Sequence, residues 1–307
     1  MKSNHTHTHV QNHDHSDLKG KKLLFTIGLN IFITLAQAVG GMLSGSLALL
    51  SDALHNLTDV ISLIISYVAN LFTKKEASEA RTFGYKRAEI IAAFVNSAFL
   101  LIIAIYLIYE AILRFYNPQE IESNVVIWLA LLAIFANGFS VLLLKSEAKE
   151  NMNMLSAYLH LFTDMAASVA VLIGGLLMKY FHWFWVDSLL TILIGLYLIF
   201  MGYDLLKKSF KILMLFTPEH ISLEEVTLAI KKNSAIKNVH HVHVWELNED
   251  EVHIEAHIEF YNDIKVSEFD IILEEIEQIL LQDFNINHSN FQPEFKKDDP
   301  KNLIIQD

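Results

Sequence analysis

The sequence predicts an α-helical membrane protein, with six transmembrane helices followed by a small cytoplasmic α+β domain. Composition is the first reason, because 53% of the 307 residues are hydrophobic and the mean hydropathy is +0.34. A soluble chain of this length is rarely so apolar. Charge is the second reason. The formal net charge is −12 and nearly all of it lies in the C-terminal third, so a nearly neutral membrane body precedes an acidic domain.

Six apolar runs account for the membrane body. Each is close to or above the ~20 residues that are needed to cross ~30 Å of hydrocarbon. Unpaired backbone groups are so costly in lipid that such runs are predicted to be helical. The connecting loops are short, so neighbouring helices are expected to run antiparallel. The predicted spans are Leu23–Leu43, Leu47–Phe72, Ala88–Leu113, Val125–Leu144, Met154–Met178 and Trp183–Leu206.

Basic residues in the loops predict the orientation of these spans. Most of the lysine and arginine of the membrane body lies before the first span, in the loops after the second and fourth spans, and after the sixth span. The opposite side carries Arg114 and Lys179. Since basic loops stay on the cytoplasmic side, we expect both termini in the cytoplasm.

The chain is expected to divide into four regions. Residues 1–20 are polar and are predicted to be a disordered tail, which is either plain solvated chain or a weak metal-capturing segment. Residues 21–212 hold the six helices, residues 213–296 form the C-terminal domain, and residues 297–307 form a second tail. The histidines of the first tail are His5, His7, His9, His13 and His15.

Two amphipathic helical patterns and three strand-like stretches predict the fold of the C-terminal domain. Their order is α-β-β-α-β, which fits a small two-layer structure. Polar and apolar residues alternate from Val252 to Phe260, so one face of this strand is predicted to be polar and to carry His257. A domain of about 80 residues has a modest core, so dimerisation would help to stabilise it.

Two spans carry the same polar pattern near their centres. The second span contains His55 and Asp59, and the fifth contains His160 and Asp164, so both read H-x-x-x-D. Residues four apart share one face of a helix. A charged side chain at mid-bilayer costs at least ~2.5–3.5 kcal/mol, so each pair needs either a hydrogen bond within its own helix or a functional partner.

If the two H-x-x-x-D pairs face each other, their four side chains would form a metal site. Between antiparallel helices, His55 lies level with Asp164 and Asp59 lies level with His160. Two imidazoles and two carboxylates are a tetrahedral ligand set well suited to Zn²⁺, and two carboxylates cancel the charge of the ion. The chain has no cysteine, which excludes disulfides and thiolate sites.

Protons are expected to compete with the metal at this site. Metal binding requires deprotonated ligands, and histidine titrates near pH ~6.5. Exposure of the site to each side of the membrane in turn would then exchange metal moving outward for protons moving inward. Asp52, one turn before His55, is a candidate for lining the outer access path.

Five motifs give the chain a strong resemblance to the cation diffusion facilitator family, in particular to its bacterial zinc-efflux members. The resemblance extends from about residue 20 to about residue 295, together with the six spans and the α-β-β-α-β domain. The motifs are "GSLALLSDALHNLTD", "RTFGYKRAEIIAAFVNSAFLL", "NMNMLSAYLHLFTD", "VDSLLTILIGLYLI" and "VHHVHVWEL".

The resemblance implies a homodimeric zinc/proton antiporter of the inner (cytoplasmic) membrane, and not an enzyme. It implies that a His-Asp-His-Asp site favours zinc, and that the cytoplasmic domain senses metal and tightens the dimer. His240, His257 and His288 align with family positions that bind regulatory zinc, and Glu294 is a weaker candidate. Zinc is therefore expected as the transported substrate and as a structural or regulatory ion.

Three alternative functions are compatible with parts of this interpretation. The same fold could carry cadmium, cobalt or manganese. A passive divalent cation channel would need weaker sites than a four-ligand set provides. A membrane histidine-box enzyme is suggested by "HHVH", but this cluster lies in an alternating strand and no HExxH motif is present. No basic and aromatic pattern predicts binding to nucleic acid.

Overall fold

Six long helices form the first two thirds of the chain. The structure is a computed structural model and describes residues 13–73, 77–145 and 152–305. Four of the described helical segments are long and apolar enough to cross a membrane, namely Ala88–Tyr116, Ser123–Leu144, Tyr158–Phe181 and Trp185–Leu213. The helices are α1 (His13–Ser44), α2 (Leu47–Thr73), α3 (Ala88–Tyr116), α4 (Ser123–Leu144), α5 (Met152–Phe181) and α6 (Trp185–Leu213).

The N-terminal tail is shorter than the sequence predicts. Helix α1 already begins at His13, so residues 13–20 are helical and are not part of a disordered tail. Residues 1–12, which include His5, His7 and His9, lie outside the described residues.

The described part of the chain forms two compact units. The first comprises the residues up to Leu63 together with Ala98–Gly202, and the second comprises Ile64–Ser97 together with the residues from Tyr203 onward. The second unit therefore includes the ends of α2, α3 and α6 and the loop from 77 to 87, as well as the C-terminal domain. This division differs from the boundary at residue 212 expected from the sequence.

Close helix packing in the first unit depends on small residues. Helix α4 packs along α5 and also against α1, and alanines such as Ala130 and Ala133 are fully buried at these contacts. Gly41 of α1 lies against the backbone of α2, because a Cβ atom there would be 3.0 Å from the Leu50 nitrogen and 3.2 Å from its Cα. Small residues allow such approaches in membrane helices. Large apolar residues such as Phe135 and Phe200 are exposed on the outer faces.

A buried carboxylate fixes the start of α2. The Ser46 hydroxyl donates a hydrogen bond of 2.5 Å to Asp187 Oδ1, and the Leu47 N–H donates one of 2.8 Å to Asp187 Oδ2. Asp187 belongs to the first turn of α6 and is 1% exposed. A carboxylate at a helix N-terminus pairs with free N–H groups and the helix dipole. Gly45 makes the turn into α2 with φ +74°, and Arg114 donates to its carbonyl at 2.7 Å.

The C-terminal domain is a three-stranded sheet with two helices. Strand β2 is central, pairs antiparallel with β1 and pairs parallel with β3. Its core is made of aliphatic side chains from both layers, including Val226, Ile258 and Leu280. The elements are α7 (Leu223–Ile230), β1 (Ile236–Glu246), β2 (Val252–Phe260), α8 (Val266–Phe284) and β3 (His288–Glu294).

Two residues of the predicted polar face of β2 are buried. His253 is 4% exposed and Glu259 is 5% exposed, although alternation alone places both on a solvated face. Strand β2 is central, and the chain that follows β3 returns to the edge strand β1, where the His241 and Val242 N–H groups donate to the Asn302 and Leu303 carbonyls. The polar face is therefore only partly solvated, since Glu255 remains exposed and His257 is half-buried.

We expect Gly41→Leu to lower the apparent melting temperature in detergent by about 2–10 °C, because overpacking against backbone costs about 1–3 kcal/mol. Gly28→Leu in the same helix is the control, since no atom lies within 4 Å of the added Cβ position there. Equal melting temperatures for the two variants would contradict the close α1–α2 contact.

Candidate metal centres

The two H-x-x-x-D pairs meet in the first unit. His55 Nε2 lies 3.9 Å from Asp164 Oδ1, and His160 Nε2 lies 3.3 Å from Asp59 Oδ2. Within the helices, His55 Nε2 is 3.8 Å from Asp59 Oδ2 and His160 Nε2 is 3.5 Å from Asp164 Oδ2. These four residues, from α2 and α5, are called the intramembrane cluster below. Each imidazole thus faces both carboxylates.

These distances are close to those around a tetrahedral ion. Metal bonds of about 2.0–2.2 Å place neighbouring ligand atoms about 3.3–3.6 Å apart. Ligand atoms of His55, His160 and Asp164 all lie within 4.8 Å of one another. Within the described residues, neither Asp59 Oδ2 nor Asp164 Oδ2 has a hydrogen bond of good geometry. Because buried carboxylate oxygens normally have partners, the cluster is chemically suited to a cation.

Exposure within the intramembrane cluster is uneven. The Asp164 side chain is 2% exposed, whereas the side chains of Asp59 and His160 are 34% and 41% exposed. The Tyr197 ring stands edge-on to the His55 ring, with centroids 6.2 Å apart. Asp164 is therefore the most enclosed of the four side chains, and Asp59 and His160 are the most accessible.

A second set of buried polar residues lies next to this cluster along α2. Gln37 of α1 donates a hydrogen bond of 2.6 Å to Asp52, and Asn56 donates one of 3.4 Å to Gln37. All three side chains are at most 3% exposed. The amide partner explains how the Asp52 carboxyl group is accommodated among apolar helices.

The C-terminal domain contains a separate cluster of two histidines and two carboxylates. His240 Nε2 lies 3.2 Å from Glu294 Oε2 and 3.6 Å from Asp299 Oδ2. His257 Nδ1 lies 2.9 Å from Glu294 Oε1 and 3.9 Å from Asp299 Oδ2. The ligand atoms all lie within 4.8 Å of one another. His240, His257, Glu294 and Asp299 are called the domain cluster below, and their donor set fits Zn²⁺.

Strand pairing brings the domain cluster together. His240 of β1 is opposite His257 of β2, and the register shifts between His240 and His243. Within this irregularity His241 has φ +52°, as a bulged strand residue can. Glu294 ends β3, and Asp299 belongs to the chain that follows. Simple alternation could not assign the faces of β1, because the bulge interrupts it.

His288 is not part of the domain cluster, which corrects the ligand set implied by the resemblance. Its ring lies 4.3 Å from the ring of His253, its partner in the parallel register. His257 instead pairs with Gln292, four residues further along β3, and four strand residues span about 13 Å. Glu294, the weaker candidate, lies in the cluster. Asp299 was missed because it follows β3 in a stretch without a periodic pattern.

Burial also favours the metal-binding form of one ligand. Burial lowers the pKa of His257 from its ordinary value, against the opposing attraction of Glu294. A lowered pKa keeps the imidazole neutral to lower pH, and the neutral form is the one that binds metal.

The fold and the two clusters define a multi-pass membrane protein that presents metal ligands both within its helices and in a separate domain. Residues 23–214 match the family model described as "Cation efflux transmembrane domain", and residues 218–295 match the one described as "Cation efflux protein, cytoplasmic domain". The chain therefore belongs to the cation diffusion facilitator (cation efflux) family, whose members are transporters and not enzymes.

Three relatives cover nearly the whole chain. The "Cadmium, cobalt and zinc/H(+)-K(+) antiporter" of Bacillus subtilis is 34% identical over 95% of this chain and 95% of its own length. The "Metal cation efflux system protein CzcD" of Cupriavidus metallidurans is 36% identical over 91% of this chain and 88% of its own. The "Zinc transporter ZitB" of Escherichia coli is 33% identical over 95% of this chain and 93% of its own.

In full-length protein that carries Asp59→Ala to silence the intramembrane cluster, Glu294→Gln is expected to weaken zinc binding at least about tenfold, because a charged ligand becomes a neutral amide. His288→Ala is the matched control and should leave the affinity within about twofold. Isothermal titration calorimetry measures both. A loss for His288→Ala as large as that for Glu294→Gln would mean that the ligand set is misassigned.

Proposed function

We propose that this chain exports divalent metal from the cytoplasm, with zinc as its principal substrate, in exchange for protons. The observation that carries the proposal is the meeting of two imidazoles and two carboxylates from α2 and α5. His55, Asp59, His160 and Asp164 then form the transport site. The names of the relatives, which include zinc, cadmium and cobalt transporters, support the class of substrate.

In the proposed topology all six long helices cross the membrane and both termini lie in the cytoplasm. The even number of spans and the basic residues of the even-numbered loops support this arrangement. The protein would then belong to the inner membrane of a bacterium. The matched cytoplasmic-domain model supports the same side for the C-terminal domain.

Proton coupling follows from the chemistry of the four ligands. Without a cation, two carboxylates would be left uncompensated in an apolar surrounding, which is costly. Protons can relieve this cost, and zinc must displace them to bind. Net export then requires that the site open to the cytoplasm for metal and to the outside for protons. The word "H(+)" in the name of the Bacillus relative supports this counter-ion.

The C-terminal domain is proposed to join two copies of the chain and to bind a regulatory metal ion. The family model described as the cytoplasmic domain carries the name ZT_dimer, which supports a homodimer. His240 and His257 would hold the ion together with Glu294 and Asp299. These residues would bind and orient the ion, and the bound charge would link β1, β2 and the end of β3.

Cadmium, cobalt and manganese remain second candidates as substrates, and cadmium and cobalt stand in the name of one relative. A passive channel is the competing mechanism. Saturation of the flux with zinc and its dependence on a proton gradient would separate exchange from a channel, because channel sites must release ions quickly.

Inverted membrane vesicles that contain Asp59→Ala are expected to take up zinc at background rates, because the remaining ligands cannot complete or neutralise the site. His55→Asp should still transport, with manganese gaining relative to zinc, since oxygen ligands suit harder ions. Asp263→Ala changes an exposed acid outside both clusters and serves as the control. Zinc uptake by Asp59→Ala at the control rate would exclude the proposed site.

Lowering the pH from 7.5 to 5.5 should weaken zinc binding at the transport site, since protons and zinc compete for the same imidazole nitrogens and carboxylate oxygens. In inverted vesicles with an acidic lumen, addition of zinc should make the lumen more alkaline, as a pH-sensitive dye inside would report. Vesicles with Asp59→Ala control for leaks. Zinc uptake that persists unchanged after the pH gradient is collapsed, with no proton movement, would rule out the exchange.

A further inference from the structure

A lysine ammonium group lies among the ligand atoms of the domain cluster. Lys301 Nζ is 2.9 Å from Glu294 Oε2 and 3.3 Å from His240 Nε2, and it forms an ion pair with Asp299. Lys297 Nζ lies 2.8 Å from Glu294 Oε1 and 3.5 Å from Asp299 Oδ2. The same oxygen and nitrogen atoms that could coordinate a metal ion are therefore occupied by cations of the chain itself.

The charge of the cluster is balanced in this state. Glu294 and Asp299 contribute two negative charges, and Lys297 and Lys301 contribute two positive charges. A divalent ion added to this set would leave an excess positive charge beside His240, which is 0% exposed. Such an excess is unfavourable in a buried site.

Of the two lysines, Lys301 is the one that a metal ion bound to these ligands would have to displace. Its ammonium contacts Glu294, Asp299 and His240 at once, whereas Lys297 contacts the two carboxylates from the more exposed side, with 46% of its side chain exposed. A zinc ion bonded at about 2.0–2.2 Å to these ligands would occupy the volume that the Lys301 ammonium now fills.

The backbone beside Lys301 is attached to the edge of the sheet. The His241 N–H donates to the Asn302 carbonyl at 3.1 Å, and the Val242 N–H donates to the Leu303 carbonyl at 2.8 Å. Leu303 also packs against the core of the domain. Residues 301–303 are called the C-terminal strap below. Lys301 and Asn302 are neighbours, so the first of these two hydrogen bonds lies directly beside the residue that contacts the cluster.

We propose that Lys301 is a tethered competitor for the metal ion of the domain cluster, and that metal binding expels its ammonium and loosens the C-terminal strap from β1. The proposal rests on the metal-binding role given to this cluster above. Lys301 raises the metal concentration at which the domain responds, and the strap carries the response to the edge of the sheet. Lys301 also holds the ligands of the cluster together when no metal is bound.

The test measures zinc binding by calorimetry in the full-length chain with Asp59→Ala, which removes binding at the intramembrane cluster. Lys301→Met is expected to increase zinc affinity at least tenfold, because the competing charge is gone while much of the side-chain volume stays. Lys301→Arg keeps a competing charge and should remain near the starting affinity. Lys296→Met is the control, since Lys296 lies over the Phe295 ring and has no ion pair among the described residues.

A second measurement keeps the test valid if Lys301→Met folds poorly without metal. Hydrogen exchange of the His241 and Val242 amides reports on the strap directly. With Lys301 present, zinc should speed this exchange several-fold, while Glu294→Gln should abolish the effect of zinc. Equal zinc affinity for Lys301→Met and Lys296→Met, or exchange that zinc leaves unchanged or slows, would overturn the proposal.

Failure of this proposal is distinguishable from failure of the metal site itself. If Glu294→Gln weakens zinc binding but Lys301→Met does not strengthen it, the cluster binds metal and Lys301 is no competitor. If Glu294→Gln leaves zinc binding unchanged, the cluster does not bind metal, and the competition between zinc and Lys301 is excluded with it.

Discussion

Electrostatic compensation inside an apolar helical bundle is the constraint on which the rest of the structure depends. Ionisable side chains at membrane depth are tolerated where they meet partners of suitable chemistry. His55 and Asp59 on α2 meet His160 and Asp164 on α5, with imidazole-to-carboxylate distances of 3.3–3.9 Å. This meeting fixes which faces of the two helices can pack together. It also leaves a site whose charge a bound cation or protons can balance, so the packing of this part of the protein and the transport proposed for it would have a common origin.

Much of the architecture could be predicted because its signals are local. Long apolar runs dictate helices in lipid, and the spacing H-x-x-x-D puts both ligands of each pair on one face. The antiparallel direction of α2 and α5 then predicts which histidine meets which aspartate, and the structure has the pairs His55 with Asp164 and His160 with Asp59. The alternation of β2 likewise identified its apolar core positions, such as Ile254 and Ile258.

The domain cluster was less predictable because it depends on long-range register. The irregularity at His241 decides which face His240 occupies, and no periodic pattern encodes it. The parallel register of β2 and β3 decides that Glu294, and not His288, reaches His257. Asp299 and Lys301 follow β3 in a segment with no regular structure, and their position depends on backbone hydrogen bonds to β1. Each of these contacts joins residues that are distant in sequence, which is where single-sequence reasoning is weakest.

The carboxylate of Asp187 has a mechanical consequence for any movement of the helices. It accepts hydrogen bonds from Ser46 and Leu47, so the start of α2 and the start of α6 cannot separate without breaking buried polar contacts. If α2 rotated about this contact, a small rotation at Asp187 would become a larger displacement at His55 and Asp59, further along α2.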